Sequence, residues 1–238
     1  MKILAIETAT PASSVAIGED GLLQAMSVRT DPRGHVGFLV PAMEFCFALA
    51  GWTPNQLDLI AVDVGPGPYT GIRAGIATAQ AIAAAVGVPI ITVSSLTILA
   101  LRAATGRRKI YPVVDVRRGQ LATCPYLPVP GGVVRDGMAE ILDPDEFRAV
   151  LESDPAEALL VGDLPALPED FFRGLHRVRR GRPRYPSAEV VLEVAGLLGK
   201  HDEFSGAEDI RPLYLREPDA AINWSTFREE GVWPGEAS

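Results

Sequence analysis

Asp63-Val-Gly-Pro-Gly-Pro-Tyr-Thr-Gly-Ile-Arg73, running directly into Ala74-Gly-Ile-Ala-Thr-Ala-Gln-Ala-Ile-Ala-Ala-Ala-Val-Gly87, is the stretch on which the fold turns. The apolar run at residues 57–64 reads as a strand. It ends in three glycines and two prolines within seven residues, and a helix built almost wholly of small residues follows. Gly65, Gly67 and Gly71 permit backbone angles and close approaches that a Cβ would block. The sequence leaves the purpose open. The loop can present backbone N–H groups to a phosphate at the positive end of the helix. Alternatively, Ala74, Gly75, Ala77, Ala81, Ala84 and Ala85 can let a neighbouring helix come close, or the unit serves only the fold.

Upstream, residues 3–6, 14–17 and 22–28 form three short apolar runs, and Glu19-Asp20-Gly21 is a hairpin signal between the last two. Residues 35–50 have helical density with Gly51 as C-cap, and Pro41 is expected in the first turn or at a later start. After the glycine loop and its helix at 71–86 come a strand at 89–93 and a helix capped by Ser94 or Ser95 that stops by Gly106. The pattern then begins again. Strands are expected at 110–116, 120–127 and 133–141, with Arg117-Arg118-Gly119 as a turn. A helix at 143–151, an apolar run at 158–161 and a helix capped by Ser187 that runs to Leu198 complete the second half. The order β-β-β-α-β-α thus occurs twice. That is the α/β topology of paired ribonuclease-H-like subdomains, as in the actin/Hsp70/sugar-kinase (ASKHA) superfamily. The expected division is 1–106 for the N-terminal subdomain, 107–216 for the C-terminal one and 217–238 for a tail.

The 238 residues, 47% of them apolar, suffice for one large domain or two small ones. No apolar stretch is long enough to span a bilayer, and the first residues do not read as a signal peptide, so the expected setting is cytoplasmic, away from membranes. Net charge is −8, which disfavours nonspecific binding to nucleic acid. Cys46 and Cys124 form neither a disulfide framework nor a metal knuckle.

Several segments together resemble the TsaB (YeaZ) family. They are Met1-Lys-Ile-Leu-Ala-Ile-Glu-Thr-Ala-Thr10, Ser14-Val-Ala-Ile17, His35 ahead of Leu39-Val-Pro41, Gly65-Pro-Gly-Pro-Tyr-Thr-Gly-Ile-Arg73 and Val93-Ser-Ser-Leu96. Val114-Asp-Val-Arg117 and Arg211-Pro-Leu-Tyr-Leu-Arg216 also fit. The resemblance spans essentially the whole chain. It implies a role in making threonylcarbamoyladenosine (t6A) in tRNA, as a non-catalytic paralogue that pairs with the TsaD transferase subunit and works alongside the ATPase TsaE. Self-association is implied as well.

The residues agree with a chain that lacks a catalytic centre of its own. A metal site needs ligands converging from suitable spacing, and His35, His176 and His201 have no histidine partner four positions on. H-E-x-x-H and G-x-S-x-G are absent, and neither cysteine has a histidine close in sequence. Glu7 and Asp115 stand at the ends of the first strands of the two halves, where phosphate-handling ASKHA members keep acidic residues. Together with Gly65, Gly67 and Gly71 they are the candidate nucleotide site, although the turn Glu7-Thr-Ala-Thr10 has no glycine. No cofactor is expected for the chain alone, and ATP with magnesium only at a site shared with the partner. The alternative function is an ASKHA-type nucleotide-binding phosphotransferase.

The helix at 35–50 is apolar nearly all round, where a surface helix needs only one apolar stripe. The expected partner contacts are Leu39, Met43, Phe47, Ile72 and Ile76, with His35 at the helix entry and Arg73 at the rim. Met43→Glu or Ile76→Glu is then expected to abolish pairing and leave the monomer folded. The basic run from Arg173 to Arg184 shows no interleaved aromatics. It reads as solvated arginines, so tRNA is expected to be reached only indirectly.

Overall fold

The computed structural model describes residues 1–199, 210–213 and 215. The expected tail at 217–238 lies outside them. Two sheets of the same strand order form its frame. In the first half the elements are β1 (Lys2–Glu7), β2 (Ala12–Glu19), β3 (Leu22–Thr30), α1 (His35–Ala50), β4 (Leu59–Asp63), α2 (Tyr69–Val86), β5 (Ile90–Val93) and α3 (Ser95–Arg102). The sheet runs β3-β2-β1-β4-β5, antiparallel across β3, β2 and β1 and parallel across β1, β4 and β5. Asp20 and Gly21, at φ 53° and 83°, make the tight turn that joins β2 to β3 with Glu19 opposite Leu22. Every residue of β4 is buried, as a parallel strand covered on both faces requires.

The second half repeats this order. β6 (Lys109–Asp115), β7 (Leu121–Thr123), β8 (Tyr126–Val129), β9 (Gly132–Arg135), β10 (Glu140–Leu142), α4 (Pro144–Ser153), β11 (Ala158–Gly162), β12 (Val178–Arg180) and α5 (Ala188–Leu198) follow in turn. Their sheet runs β10-β7-β6-β11-β12, with β8 and β9 as a hairpin attached to β6. The duplicated α/β architecture is the ASKHA fold. The strand expected at 120–127 breaks at Cys124-Pro125, where proline has no N–H to give a ladder. The strand expected at 133–141 likewise splits into β9 and β10.

The division at residue 106 needs correction. Strand alternation gives the first sheet two apolar faces. Leu4, Ile6, Ile60 and Val62 pack with α1 and α2 on one of them. Ile3, Ala5, Leu59 and Ala61 form the other, and it is covered by Val191, Leu192 and Ala195 of α5, from the far end of the described chain. The fit is close. A Cβ on Gly196 would lie 2.6 Å from Gly21 Cα, and one on Gly18 would lie 2.6 Å from Leu192 Cδ2. Ile210 also joins the first lobe's core. In exchange, Leu96, Leu99 and Ala100 of α3 pack on Ile110, Val114 and Ala122 of the second sheet. The helix following the fifth strand of each half therefore crosses to the other lobe. Residues 107–216 are not a self-contained subdomain.

Candidate functional site

β1 and β4 are parallel neighbours, so their C-terminal ends bring Glu7 and Asp63 to one edge of the first sheet, both fully buried. Glu7 accepts hydrogen bonds from Ala9 N at 2.8 Å and Ser14 Oγ at 3.4 Å. Asp63 accepts from Gly65 N at 2.8 Å, and Ser95 Oγ lies 2.8 Å from both of its oxygens. Ser95, read from the sequence as a cap, is thus a carboxylate partner, and Ser94 caps α3 alone. Burial, and then the neighbouring Asp63 carboxylate, push the Glu7 carboxyl well up from its ordinary range. Burial raises Asp63 to about 7.

The glycine loop closes over this edge. A Cβ on Gly67 would lie 1.9 Å from Ala9 O, on Gly71 2.1 Å from Thr8 O, and on Gly75 2.4 Å from Thr8 Oγ1. Thr8 Oγ1 donates to Gly71 O at 2.8 Å, which locks the turn after β1 to the start of α2. The structure thus brings Glu7, Gly67 and Gly71 together, with the chain's own backbone occupying the close approach that the glycines allow. Gly65 adopts φ 98°, a conformation glycine takes without strain.

The second lobe has a matching pair, one member of which the sequence reading missed. Asp115 ends β6 and accepts from Arg117 N at 2.7 Å. Asp163, directly after β11, accepts from Asp115 N at 3.3 Å; it is buried, and burial raises its pKa. Asp163 is the counterpart of Asp63. The signal for it was present, since an apolar run ends in Gly162-Asp163 just as another ends at Asp63.

The side chains expected to meet a partner are placed differently from the sequence reading. Leu39, Met43, Phe47, Ile72 and Ile76 are all buried in the core between the helices and the first sheet. His35 is buried too. Its Nδ1 lies 2.7 Å from Ser13 Oγ of β2, and burial lowers its pKa. Only Arg73 stays exposed, its guanidinium 3.7 Å from the Tyr69 ring centroid. The outward apolar residues of α1 are instead Val36, Val40, Phe45 and Leu49, exposed by 72%, 56%, 52% and 65%. Glu44 is the one charged side chain among them on that helix. α2 lies alongside, with Ala77, Ala81, Ala84 and Ala85 exposed. Among the described residues no group of three or more histidine, cysteine or acidic side chains is placed to hold a metal ion. No helix among them is long and apolar enough to cross a membrane.

The family model described as "TsaD: tRNA N6-adenosine threonylcarbamoyltransferase" matches residues 30–151. The Escherichia coli "tRNA threonylcarbamoyladenosine biosynthesis protein TsaB" is 30% identical over 220 residues, covering 91% of this chain and 95% of that one. The chain belongs to the TsaB (YeaZ) family. The TsaB of Bacillus subtilis is also 30% identical, over 94% of this chain and 98% of its own. A solved structure, YeaZ from Pseudomonas aeruginosa, superposes with a TM-score of 0.77 at 29% identity, covering 90% of this chain and 99% of that one. These TsaB-family matches extend through the second lobe, well past residue 151 where the TsaD-type match ends.

Proposed function

We propose that this chain is a non-catalytic scaffold subunit for the formation of t6A in tRNA. In this reading it docks on a TsaD-type transferase subunit and works alongside a TsaE-type ATPase in the cytoplasm. The single observation that carries the docking is the outer face of α1. Its inner face is already satisfied by the sheet, yet Val36, Val40, Phe45 and Leu49 remain in solvent on the same helix. Four large apolar side chains left in solvent on one helix of a folded chain mark a contact site. The alanine surface of α2 beside it lets a partner helix approach closely, so two helices from each subunit would pack as four. Any ATP and magnesium belong at a site shared with the partner, because the glycine loop is closed against the turn after β1.

A charge placed in this surface tests the reading. Phe45→Glu and Leu49→Glu are expected to lower association with the TsaD-type subunit at least tenfold in sedimentation velocity, and to stop t6A formation in a reconstitution with all components present. Unaltered association of both variants would overturn the assignment. The same face fits a second copy of the chain, and sedimentation of the protein alone and mixed with the transferase separates the two partners.

A further inference from the structure

A cleft of about 700 Å³ lies between the lobes. Ser14, Val28 and Thr30 of β2 and β3 line one side, and residues 180–187 form the other. Arg102, Arg180, Arg182 and Arg184 all line it and no carboxylate does, although the chain carries 30 acidic against 22 basic side chains. All four arginines are exposed. Among the described residues, none of them has a carboxylate within ion-pair distance. Arg184 does feel the charge of the buried Asp163. Arg180 also borders a shallower hollow containing Glu169 and Asp170, so most of the weight rests on Arg182 and Arg184.

The wall is preformed. Gly162 N donates to Pro183 O at 2.8 Å, Arg102 Nη1 to Tyr185 O at 2.7 Å, and Ala188 N to Ser14 Oγ at 2.9 Å. These bonds tie the segment to β11, α3 and β2 in turn. One aromatic side chain, Tyr185, lines the cleft, and Phe172 borders the neighbouring hollow. The Arg180 guanidinium lies 3.9 Å from the Phe172 ring centroid, and that of Arg184 lies 4.9 Å from Tyr185.

A cationic cleft in an otherwise acidic protein selects a polyanion and orients it, since the remaining surface repels the same ligand. The arginines recur at every second position along 180–184 instead of converging on one point, which suits a chain of phosphates better than a single phosphate. Met26, Val28 and Leu159 line the cleft as well, and Tyr185 and the arginine planes offer surfaces on which a base can stack. We propose that this cleft holds a stretch of RNA phosphodiester backbone, so that the tRNA touches this subunit directly. The inference rests on the cleft and stands apart from the docking role of α1.

The test is fluorescence anisotropy of the full chain with an unmodified tRNA transcript across a salt series. Binding is expected to weaken with salt. Arg182→Glu with Arg184→Glu should reduce affinity at least tenfold and flatten the log–log salt slope by about 2. Arg182→Lys with Arg184→Lys should retain most of the binding. Arg33→Glu with Arg135→Glu makes the same charge change outside the cleft and should have little effect. Three results would overturn the proposal: no binding by the unaltered chain at about 50 mM salt, equal losses from the two glutamate pairs, or displacement of the RNA by pyrophosphate at matched phosphate concentration. Phe45→Glu should keep RNA binding while losing the transferase, and the cleft variants should do the reverse, so either reading can fail alone.

Discussion

A single methyl group at position 67 tests what the glycine loop is for. If Gly67 is glycine so that the loop can lie against the turn after β1, the Cβ of an alanine would fall 1.9 Å from Ala9 O and must push that oxygen away. Gly67→Ala is then expected to cost about 3 kcal/mol or more in urea denaturation, as backbone overpacking does. Gly37→Ala, on the open face of α1 with nothing within 4 Å, should instead stabilise by up to about 1 kcal/mol. The buried carboxyl pair makes a second prediction, about pH. A carboxyl whose pKa is raised on folding binds more protons in the folded chain than in the unfolded one, so stability falls as pH rises between its two values. For Asp63 that window runs from 3.8 to about 7, and Glu7, also raised, adds to the fall in the same direction. Asp63→Asn keeps the shape, and its amide can still accept from Gly65 N and donate to Ser95 Oγ. It should flatten the decline of the urea midpoint between pH 5 and 7.5. A variant whose midpoint falls as steeply as the unaltered chain's would mean that Asp63 is ionised when folded.

The two faces of α1 separate packing from docking within one helix. Met43 is buried in the core, so Met43→Glu is expected to lower the thermal midpoint or prevent folding, and any loss of pairing would follow from that. Phe45→Glu, two positions on and half-exposed, should leave the midpoint nearly unchanged and act on association alone, with calorimetry of both variants as the check. Pro41, expected in the first turn of that helix or at a later start, lies inside it in the second turn. The helix ends and its two apolar stripes were legible in the sequence. Which stripe meets the sheet was not, because periodicity gives a relative angle with no external reference. The same distinction runs through the molecule. Caps at Ser94 and Ser187 and the left-handed glycine at 51 announced where helices begin and end, because each acts within one turn of backbone. Glu7 and Asp115 were legible as acidic strand ends and Gly67 and Gly71 as points of close approach, while Asp163 and the carboxylate role of Ser95 required elements far apart in sequence to be placed side by side. That α5 belongs on the first sheet had no local sign, since an apolar helix fits either sheet equally well.

The exchange of α3 and α5 between the lobes makes the cores interdependent. Without α5, Ile3, Ala5, Ala16, Leu59 and Ala61 would form an apolar face open to water, and without the second sheet the inner face of α3 would join it. Burying a large aliphatic side chain contributes about 1.5–3 kcal/mol, so leaving several of them exposed removes an amount comparable with the whole stability of a domain. Residues 1–106 expressed alone are therefore expected to show no cooperative unfolding transition, even though they contain a complete five-stranded sheet and its first two helices. The full chain should unfold in one transition, with amide exchange protection in β1 and β6 lost at the same denaturant concentration. Leu192→Ala should move both strands' transitions together, because it weakens the helix through which the second half covers the first. A fragment 1–106 that melts cooperatively, or two well-separated transitions in the full chain, would show that each lobe closes its own core and that the crossing helices are accessory.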